Sequence, residues 1–185
     1  KDTLALAQTG TKIGAPQQVV EAVVRVNEER KAKMAQKIIT AMGGDVSGAT
    51  IAILGVSFKP NTDDVREAPS LTIIQTLQQA GAKIKAYDPE AMEEGAKLLS
   101  DVEWCDSSYD AADGADALVI VTEWNDFRGL NREELGRRLK TKRIIDLKNI
   151  YTLDDMRKSG FHYVSVGRAE IVPVDADVLP IADAN

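Results

Sequence analysis

The loop that follows one apolar run in the sequence contains the side chains best suited to bind a charged ligand. The run covers residues 50–56, and the loop that follows it contains Phe58, Lys59 and Arg66. A nucleotide diphosphate offers a flat base and charged oxygens, which an aromatic ring, a flexible ammonium and a fork-shaped guanidinium can bind. The loop is also longer than the roughly 2–6 residues usual for a strand-to-helix connection, and long ordered loops are often functional.

The same loop has a purely structural interpretation. In it, Phe58 packs in the core while Asp63 and Asp64 cap the next helix. Arg66 then pairs with these acids, and spacing alone does not decide between the two interpretations. A magnesium site of the receiver type is a further alternative. It requires acids from separate strand ends, whereas capping explains a tandem pair at a helix start better.

The loop lacks the glycine pattern of a dinucleotide-binding turn. Such a turn reads G-x-G-x-x-G, but after Gly55 the next two glycine places hold Ser57 and Pro60. Asp88 ends the second predicted strand, where an acid commonly holds a ribose. Because the glycine loop that accompanies such an acid is missing, we interpret Asp88 as a turn residue before Pro89.

Other candidate residues follow later predicted strands or lie inside them. For Trp124 and Phe127 the sequence favours packing over ligand contact. Lys148 follows another strand, where it could meet an anionic ligand or remain a solvated lysine. Cys105 and His162 lie within strands and show no nucleophile–base pattern, so we expect both to be structural.

Composition excludes several classes of function. The 185 residues include 23 Lys+Arg and 29 Asp+Glu, giving a net charge of −6. An acidic chain does not favour nucleic acid or an anionic membrane as a partner. No apolar run approaches the ~20 residues of a spanning helix and no signal-peptide pattern opens the chain, so we expect a cytoplasmic protein. A single cysteine and a single histidine exclude a disulfide framework and predict no metal site.

Alternating strands and helices must position these residues. The predicted strands cover residues 50–56, 83–88, 102–105, 116–123, 143–147 and 162–166, and the predicted helices cover 70–81, 90–99, 109–115, 132–139 and 153–159. Such alternation indicates an α/β fold with a doubly wound, mainly parallel, Rossmann-like sheet. Ligands of such sheets bind beyond the carboxyl ends of the strands, near the point where the strand order reverses.

A long helix precedes the sheet. A turn-rich stretch at 9–15 is followed by residues 17–42, which lack Pro and Gly and would form a helix of about 39 Å. Its partial apolar stripe is interrupted by Arg30, and its length suits a connector or a dimer spine. We therefore divide the chain into a helical segment at 1–45, a Rossmann-like domain at 46–168 and an extended tail at 169–185. Without an initiator Met, the chain is expected to be part of a longer protein.

Several motifs together resemble one known family. They are the run GVSFKPNTDDVREAPS at 55–70, the markers at 122–124 and 127–128, those at 146, 149–151, 160–161 and 164–168, and the opening six residues. In this combination the chain resembles the C-terminal domain of the UDP-glucose/GDP-mannose dehydrogenase family over residues 1–168.

The resemblance implies oxidation of C6 of a nucleotide sugar from alcohol to carboxylate with two NAD+. The motif most resembles the type that converts UDP-glucose to UDP-glucuronate; GDP-mannose and UDP-N-acetyl-hexosamines are the alternatives. The resemblance implies that the family's nucleophilic cysteine would lie three residues before Lys1 and that its NAD-binding domain would also lie upstream. The chain alone is therefore expected to be inactive. A non-catalytic, dimerising interaction domain remains the competing interpretation.

The resemblance assigns roles to five residues. Asp2 matches the acid that helps to activate the hydrolytic water, so it is the catalytic candidate. Phe58 and Lys59 match residues that line the nucleotide-sugar site. Lys1 and Arg66 match residues that contact NAD.

One departure from the family pattern concerns a further substrate-binding candidate. The family usually shows Asp-Gly-Arg-Asn where this chain reads Asp146-Leu147-Lys148-Asn149. Lys148 keeps the positive charge but loses the bidentate fork of arginine, and Leu removes the backbone freedom of glycine. The resemblance also implies a homodimer built through the 17–42 helix.

Overall fold

A computed structural model describes residues 2–173 as a six-stranded, all-parallel sheet with helices on both faces. The strands are β1 (Thr50–Leu54), β2 (Lys83–Tyr87), β3 (Val102–Trp104), β4 (Ala117–Ile120), β5 (Arg143–Asp146) and β6 (His162–Ser165). The helices are α1 (Asp2–Lys12), α2 (Gln18–Ala41), α3 (Pro69–Gln79), α4 (Met92–Ala96), α5 (Ser108–Ala112), α6 (Asn125–Arg128), α7 (Arg132–Arg138) and α8 (Leu153–Ser159). The strand order is β3-β2-β1-β4-β5-β6, which confirms the predicted fold class.

The central strands are apolar at successive positions because both of their faces are buried. Ile51 and Ile53 pack into a core shared with α2 and α3. Ala52 and Leu54 pack into a second core on the opposite face, with side chains of α5 to α8. Side chains alternate between the faces of a strand, so a strand covered on both sides needs apolar residues throughout.

The strand order reverses between β1 and β4, and the backbones that leave these two strands approach each other closely. Gly55 has φ +90°, and a Cβ atom added there would lie 2.4 Å from Cβ of Thr122. Only glycine adopts this backbone conformation without strain and also leaves the necessary space. The two exits are thus locked side by side at the edge where ligands of such sheets bind.

The amino-terminal segment differs from the prediction at one point. The turn-rich stretch predicted from residue 9 is helical through Lys12, because α1 continues across Gly10. Gly10 permits this end to pack tightly, since an added Cβ would lie 2.8 Å from the carbonyl oxygen of Ala15. The backbone N–H of Ala15 in turn donates to the Gly10 carbonyl at 2.9 Å. Local composition indicated a turn, but close packing with the following residues supports the helix.

Beyond β6 the chain turns back on itself. Ile171 and Tyr163 exchange two antiparallel backbone hydrogen bonds, of 2.8 and 2.9 Å. Most of the predicted tail, residues 174–185, lies outside the described residues, as does Lys1. Among residues 2–173, no helix combines the length and the apolar character needed to cross a membrane.

Candidate functional site

A cleft of about 450 Å³ opens between the long helix and the carboxyl edge of the sheet. Helix α2 contributes Asn27, Arg30 and Lys31 to its lining, and the exits of β1 and β5 contribute Phe58 and Lys148. Further lining residues come from the first turn of α1 and from the start of α3. The cleft therefore lies at the place that the strand order predicts for a ligand site.

The structure brings only some of the candidate residues into this lining. Phe58 is 51% exposed and faces the cleft, which contradicts the interpretation that places its ring in the core. Lys59 is exposed and has no hydrogen bond or ion pair among residues 2–173. Asp2 is exposed at the start of α1, and its neighbour Thr3 lines the cleft.

Asp88 organises the exit of β1 from within the protein. Its side chain is fully buried, and one carboxylate oxygen accepts from the backbone N–H groups of Val56 and Ser57, at 2.7 and 2.9 Å. The same oxygen accepts from the Ser57 hydroxyl at 2.9 Å and from the Trp124 indole at 3.2 Å. The other oxygen accepts from the N–H groups of residues 90–91. Our interpretation of Asp88 as a turn residue was therefore incomplete, since it also fixes the β1 and β4 exits.

The hydrogen bonds of Asp88 determine which groups at the β1 exit can bind an anion. In a dinucleotide-binding turn, backbone N–H groups at the end of the first strand face a pyrophosphate. Here the N–H groups of Val56 and Ser57 are taken by a carboxylate. The β1 exit thus does not fit the pyrophosphate of NAD, and side chains must supply the positive charge for any phosphate bound here.

Hydrogen bonds close the long loop after β1 at its two ends. The N–H of Phe58 donates to the Asp64 carbonyl at 2.8 Å. The carbonyl of Val56 accepts from the Ser70 hydroxyl at 2.5 Å, and that of Ser57 accepts from the Thr122 hydroxyl at 2.6 Å. With its ends held, the loop presents Phe58 and the residue after it at the mouth of the cleft.

Arg66 forms a bidentate pair with Asp64. Nε and Nη2 of Arg66 lie 2.8 and 2.7 Å from the two carboxylate oxygens. The hydrogen bond and then the charge of Asp64 raise the pKa of Arg66, although its side chain is 71% exposed. The pairing agrees with the structural interpretation, but the capping does not. Helix α3 begins at Pro69, and its N-cap, Ala68, makes no side-chain hydrogen bond. Arg66 lies outside the lining of the cleft.

Lys148 lies in the cleft but is already paired. Its ammonium lies 2.7 Å from a carboxylate oxygen of Glu123, in the loop that follows β4. Burial by itself would raise the pKa of Glu123, but the contact with Lys148 lowers it overall. Glu123 is therefore ionised at neutral pH, and it orients Lys148 at the edge between β4 and β5.

The last group of family markers forms one buried network beneath Lys148. Asp146 accepts from the N–H of Lys148 at 2.9 Å, from that of Tyr151 at 3.2 Å and from the Tyr163 hydroxyl at 2.7 Å. Arg168 donates to the same hydroxyl at 2.9 Å. Burial, followed by the hydrogen bond to Asp146, raises the pKa of Tyr163. These markers hold the β5 exit in shape.

Sequence reasoning missed the contribution of the long helix to the cleft. Lys31 lies on the charged side of that helix, yet its side chain is only 16% exposed. It lies 2.9 Å from Glu28 and 3.7 Å from Glu67, so it connects α2 to the end of the β1 loop. The available signal was Arg30, the charge that interrupts the apolar stripe.

The remaining candidates have structural contacts, as the sequence predicted. Trp124 and Phe127 are buried in the core. Cys105 is buried as well, and burial raises the pKa of its thiol. His162 accepts a hydrogen bond from Arg143 at 3.2 Å and contacts Glu170 through its other ring nitrogen.

Comparison with known proteins gives a consistent result. The UDP-binding domain of the UDP-glucose/GDP-mannose dehydrogenase family matches residues 52–153. A UDP-glucose 6-dehydrogenase of Rhizobium meliloti (strain 1021) is 48% identical over 92% of this chain and 39% of its own length. UDP-glucose 6-dehydrogenase TuaD of Bacillus subtilis (strain 168) is 41% identical over 92% of this chain and 37% of its own length.

A solved structure agrees with these relatives. The UDP-glucose dehydrogenase of the archaeon Pyrobaculum islandicum superposes with a TM-score of 0.73 and 30% identity, over 91% of this chain and 36% of that one. The chain thus spans less than two fifths of the length of the relatives described here. Together, the matched domain and the parallel sheet with its cleft show that the chain belongs to the UDP-glucose/GDP-mannose dehydrogenase family.

Proposed function

We propose that the chain forms the nucleotide-sugar-binding part of an NAD-dependent UDP-glucose 6-dehydrogenase. Such an enzyme oxidises C6 of UDP-glucose in two hydride transfers and gives UDP-glucuronate. The observation that carries the proposal is the cleft at the carboxyl edge of the sheet, where Phe58 and Lys148 face the cations of α2. The only cysteine is the buried Cys105. We therefore expect the chain by itself to bind the substrate without oxidising it.

In this proposal the substrate is held by an apolar face and two cations. Phe58 contacts the base or the sugar, and Lys59 and Lys148 meet the phosphates. Lys59 has no ionic partner among residues 2–173, whereas Lys148 must exchange Glu123 for a phosphate oxygen. The phosphate oxygen would replace the Glu123 carboxylate as the partner of the Lys148 ammonium, which therefore stays paired.

The same proposal includes contacts with NAD and one catalytic residue. NAD accepts the hydride, and Arg66 and Lys1 contact it from this side. Asp2, at the start of α1, helps to activate the hydrolytic water. Arg66 fits a contact at the edge of the cofactor, because its side chain is exposed and its guanidinium is oriented by Asp64.

Calorimetric titration of the 185-residue chain tests the binding function. UDP and UDP-glucose should bind at a single site, and Phe58→Ala should weaken both about tenfold. Leu98→Ala is the matched control, because Leu98 is 50% exposed and lies away from the cleft. Absence of UDP binding, or an equal loss in both variants, would contradict the proposal. Formation of NADH by the chain alone would contradict the expectation that it binds the substrate without oxidising it.

The identity of the sugar is tested by competition. Displacement of UDP-glucose by GDP-mannose or a UDP-N-acetyl-hexosamine at equal or lower concentration would assign the chain to those members of the family. The interaction-domain interpretation makes a different prediction: a dimer forms, but no nucleotide perturbs the loop from Phe58 to Arg66 in an NMR titration.

We also propose that a second copy of the chain covers the amino-terminal half of the 17–42 helix. Val19, Val23 and Val26 are 79, 45 and 57% exposed there, which leaves an apolar stripe in water. Sedimentation should show a dimer that Val23→Asp converts to a monomer; a wild-type monomer at high concentration contradicts this part. The cytoplasmic location expected from the sequence stays a prediction.

A further inference from the structure

We propose that Arg30 of the long helix binds the phosphates of the nucleotide sugar, a role that rests on the proposed function. Arg30 lies in the lining of the cleft, outside residues 52–153 that match the family's UDP-binding domain. Asn27, one turn before it, and Met34, one turn after it, line the cleft too. Residues at these spacings lie on one side of a helix, so the position of Arg30 at the cleft follows from α2 itself.

The charges in the cleft single out Arg30. The lining contains three cations, Arg30, Lys31 and Lys148, and two carboxylates, in a chain whose net charge is −6. Lys31 lies between Glu28 and Glu67, and Lys148 is paired with Glu123. The side chain of Arg30 has no hydrogen bond or ion pair with any residue from 2 to 173. It is therefore the lining cation that can take an anion without breaking an existing pair.

The chemistry of the guanidinium suits this role. Its planar fork donates two parallel hydrogen bonds to phosphate oxygens, which the ammonium of Lys148 cannot do. The backbone at the β1 exit offers no alternative, because Asp88 takes the N–H groups of Val56 and Ser57. Arg30 also interrupts the stripe of Val19, Val23 and Val26, where an apolar residue would otherwise continue the pattern. A phosphate in the cleft supplies the ionic partner that the Arg30 side chain lacks among residues 2–173.

The test compares two variants of the same helix with two ligands. Arg30→Gln should bind UDP about tenfold more weakly than the wild-type chain, while its affinity for uridine stays unchanged. Lys33→Gln removes the same charge from α2, but Lys33 is 74% exposed and does not line the cleft, so it should change neither affinity. Arg30→Lys should lie between the wild type and Arg30→Gln, since it keeps the charge and loses the fork. NMR titration reads dissociation constants in the millimolar range and suits uridine.

Each contrary outcome has a distinct meaning. UDP binding by the wild type with an unchanged affinity of Arg30→Gln would overturn the role of Arg30 and leave the proposed function in place. An equal loss of uridine and UDP affinity in Arg30→Gln would also overturn it, because it would point to a change in the shape of the cleft. A wild-type chain that does not bind UDP would contradict the proposed function and this inference together.

Discussion

The Trp124 indole N–H donates to the Asp88 carboxylate at 3.2 Å, although 36 residues separate the two in sequence. Trp124 follows β4 and Asp88 follows β2, so this contact spans the exit of β1, the strand between them. The carboxylate thereby joins three strand ends at one edge of the sheet.

Replacement of Asp88 should destabilise the fold and the site together. Asp88→Ala leaves the N–H groups of Val56 and Ser57 buried without an acceptor, which should cost about 3 kcal/mol. Urea denaturation measures the loss. Asp106→Ala is the control, because Asp106 is exposed, has no side-chain hydrogen bond among residues 2–173 and does not have a left-handed backbone. Equal stability of the two variants would show that the buried contacts of Asp88 contribute little.

Gly55→Ala should be much more costly than a glycine replacement in open space. The new Cβ would lie 2.4 Å from Cβ of Thr122, on a residue with φ +90°, so a loss of about 3 kcal/mol is expected. Gly114→Ala has a similar backbone conformation, with φ +68°, but meets no atom within 4 Å. It should lose only about 1 kcal/mol. Thermal unfolding of both variants separates the cost of steric overlap from the cost of backbone strain. Similar losses of stability would show that overlap with Thr122 contributes little.

The Glu123–Lys148 pair should contribute a pH-dependent part of the stability. The folded-state pKa of Glu123 is lowered, so its contribution is present above the unfolded pKa and is lost as pH falls through the folded pKa. Wild type should exceed Glu123→Gln by less than about 1 kcal/mol at pH 7, since both side chains are about one third exposed. Chemical denaturation from pH 7 to pH 3 should show the difference shrinking. A constant or growing difference would contradict the assigned sign.

Truncation of Phe58 should weaken ligand binding with little effect on stability, whereas truncation of Phe127 should destabilise the fold. Phe58→Ala removes a ring that is 51% exposed, so stability should change by less than about 0.5 kcal/mol while UDP affinity falls. Phe127→Ala removes a ring with no exposed surface and should cost about 3–5 kcal/mol. Differential scanning calorimetry measures both variants. A large loss of stability for Phe58→Ala would show that its ring has a structural role instead.

The two central strands, β1 and β4, could be predicted because each is a short apolar run. The run from Thr50 to Leu54 has no polar position after the first residue, which is typical of a parallel strand buried on both faces. Helix α1 could not be predicted in the same way. Its last turn depends on the close approach of Gly10 to Ala15, a contact that composition does not reveal.

For the site, sequence reasoning identified residues next to strand ends and missed those whose partners are distant. Phe58 and Lys148 follow strands directly, so topology alone brings them to one edge. Lys31 was missed because its partner Glu67 lies 36 positions away on the β1 loop. Asp88 was underestimated for the same reason, since its donors belong to the exits of other strands. Motif spacing gives the residues of a single loop, whereas these contacts depend on the packing of loops that are distant in sequence.

The all-parallel order has a consequence for how quickly the chain reaches this structure. At the start of β1, the N–H of Thr50 donates to the carboxylate of Asp116, before β4, across 66 positions. The neighbours of β1 in the sheet are brought in only by long crossovers, so a large loop must close before the central pair gains any stabilisation. Refolding should therefore take milliseconds to seconds, and until then the apolar edges of the central strands are open to association with other chains.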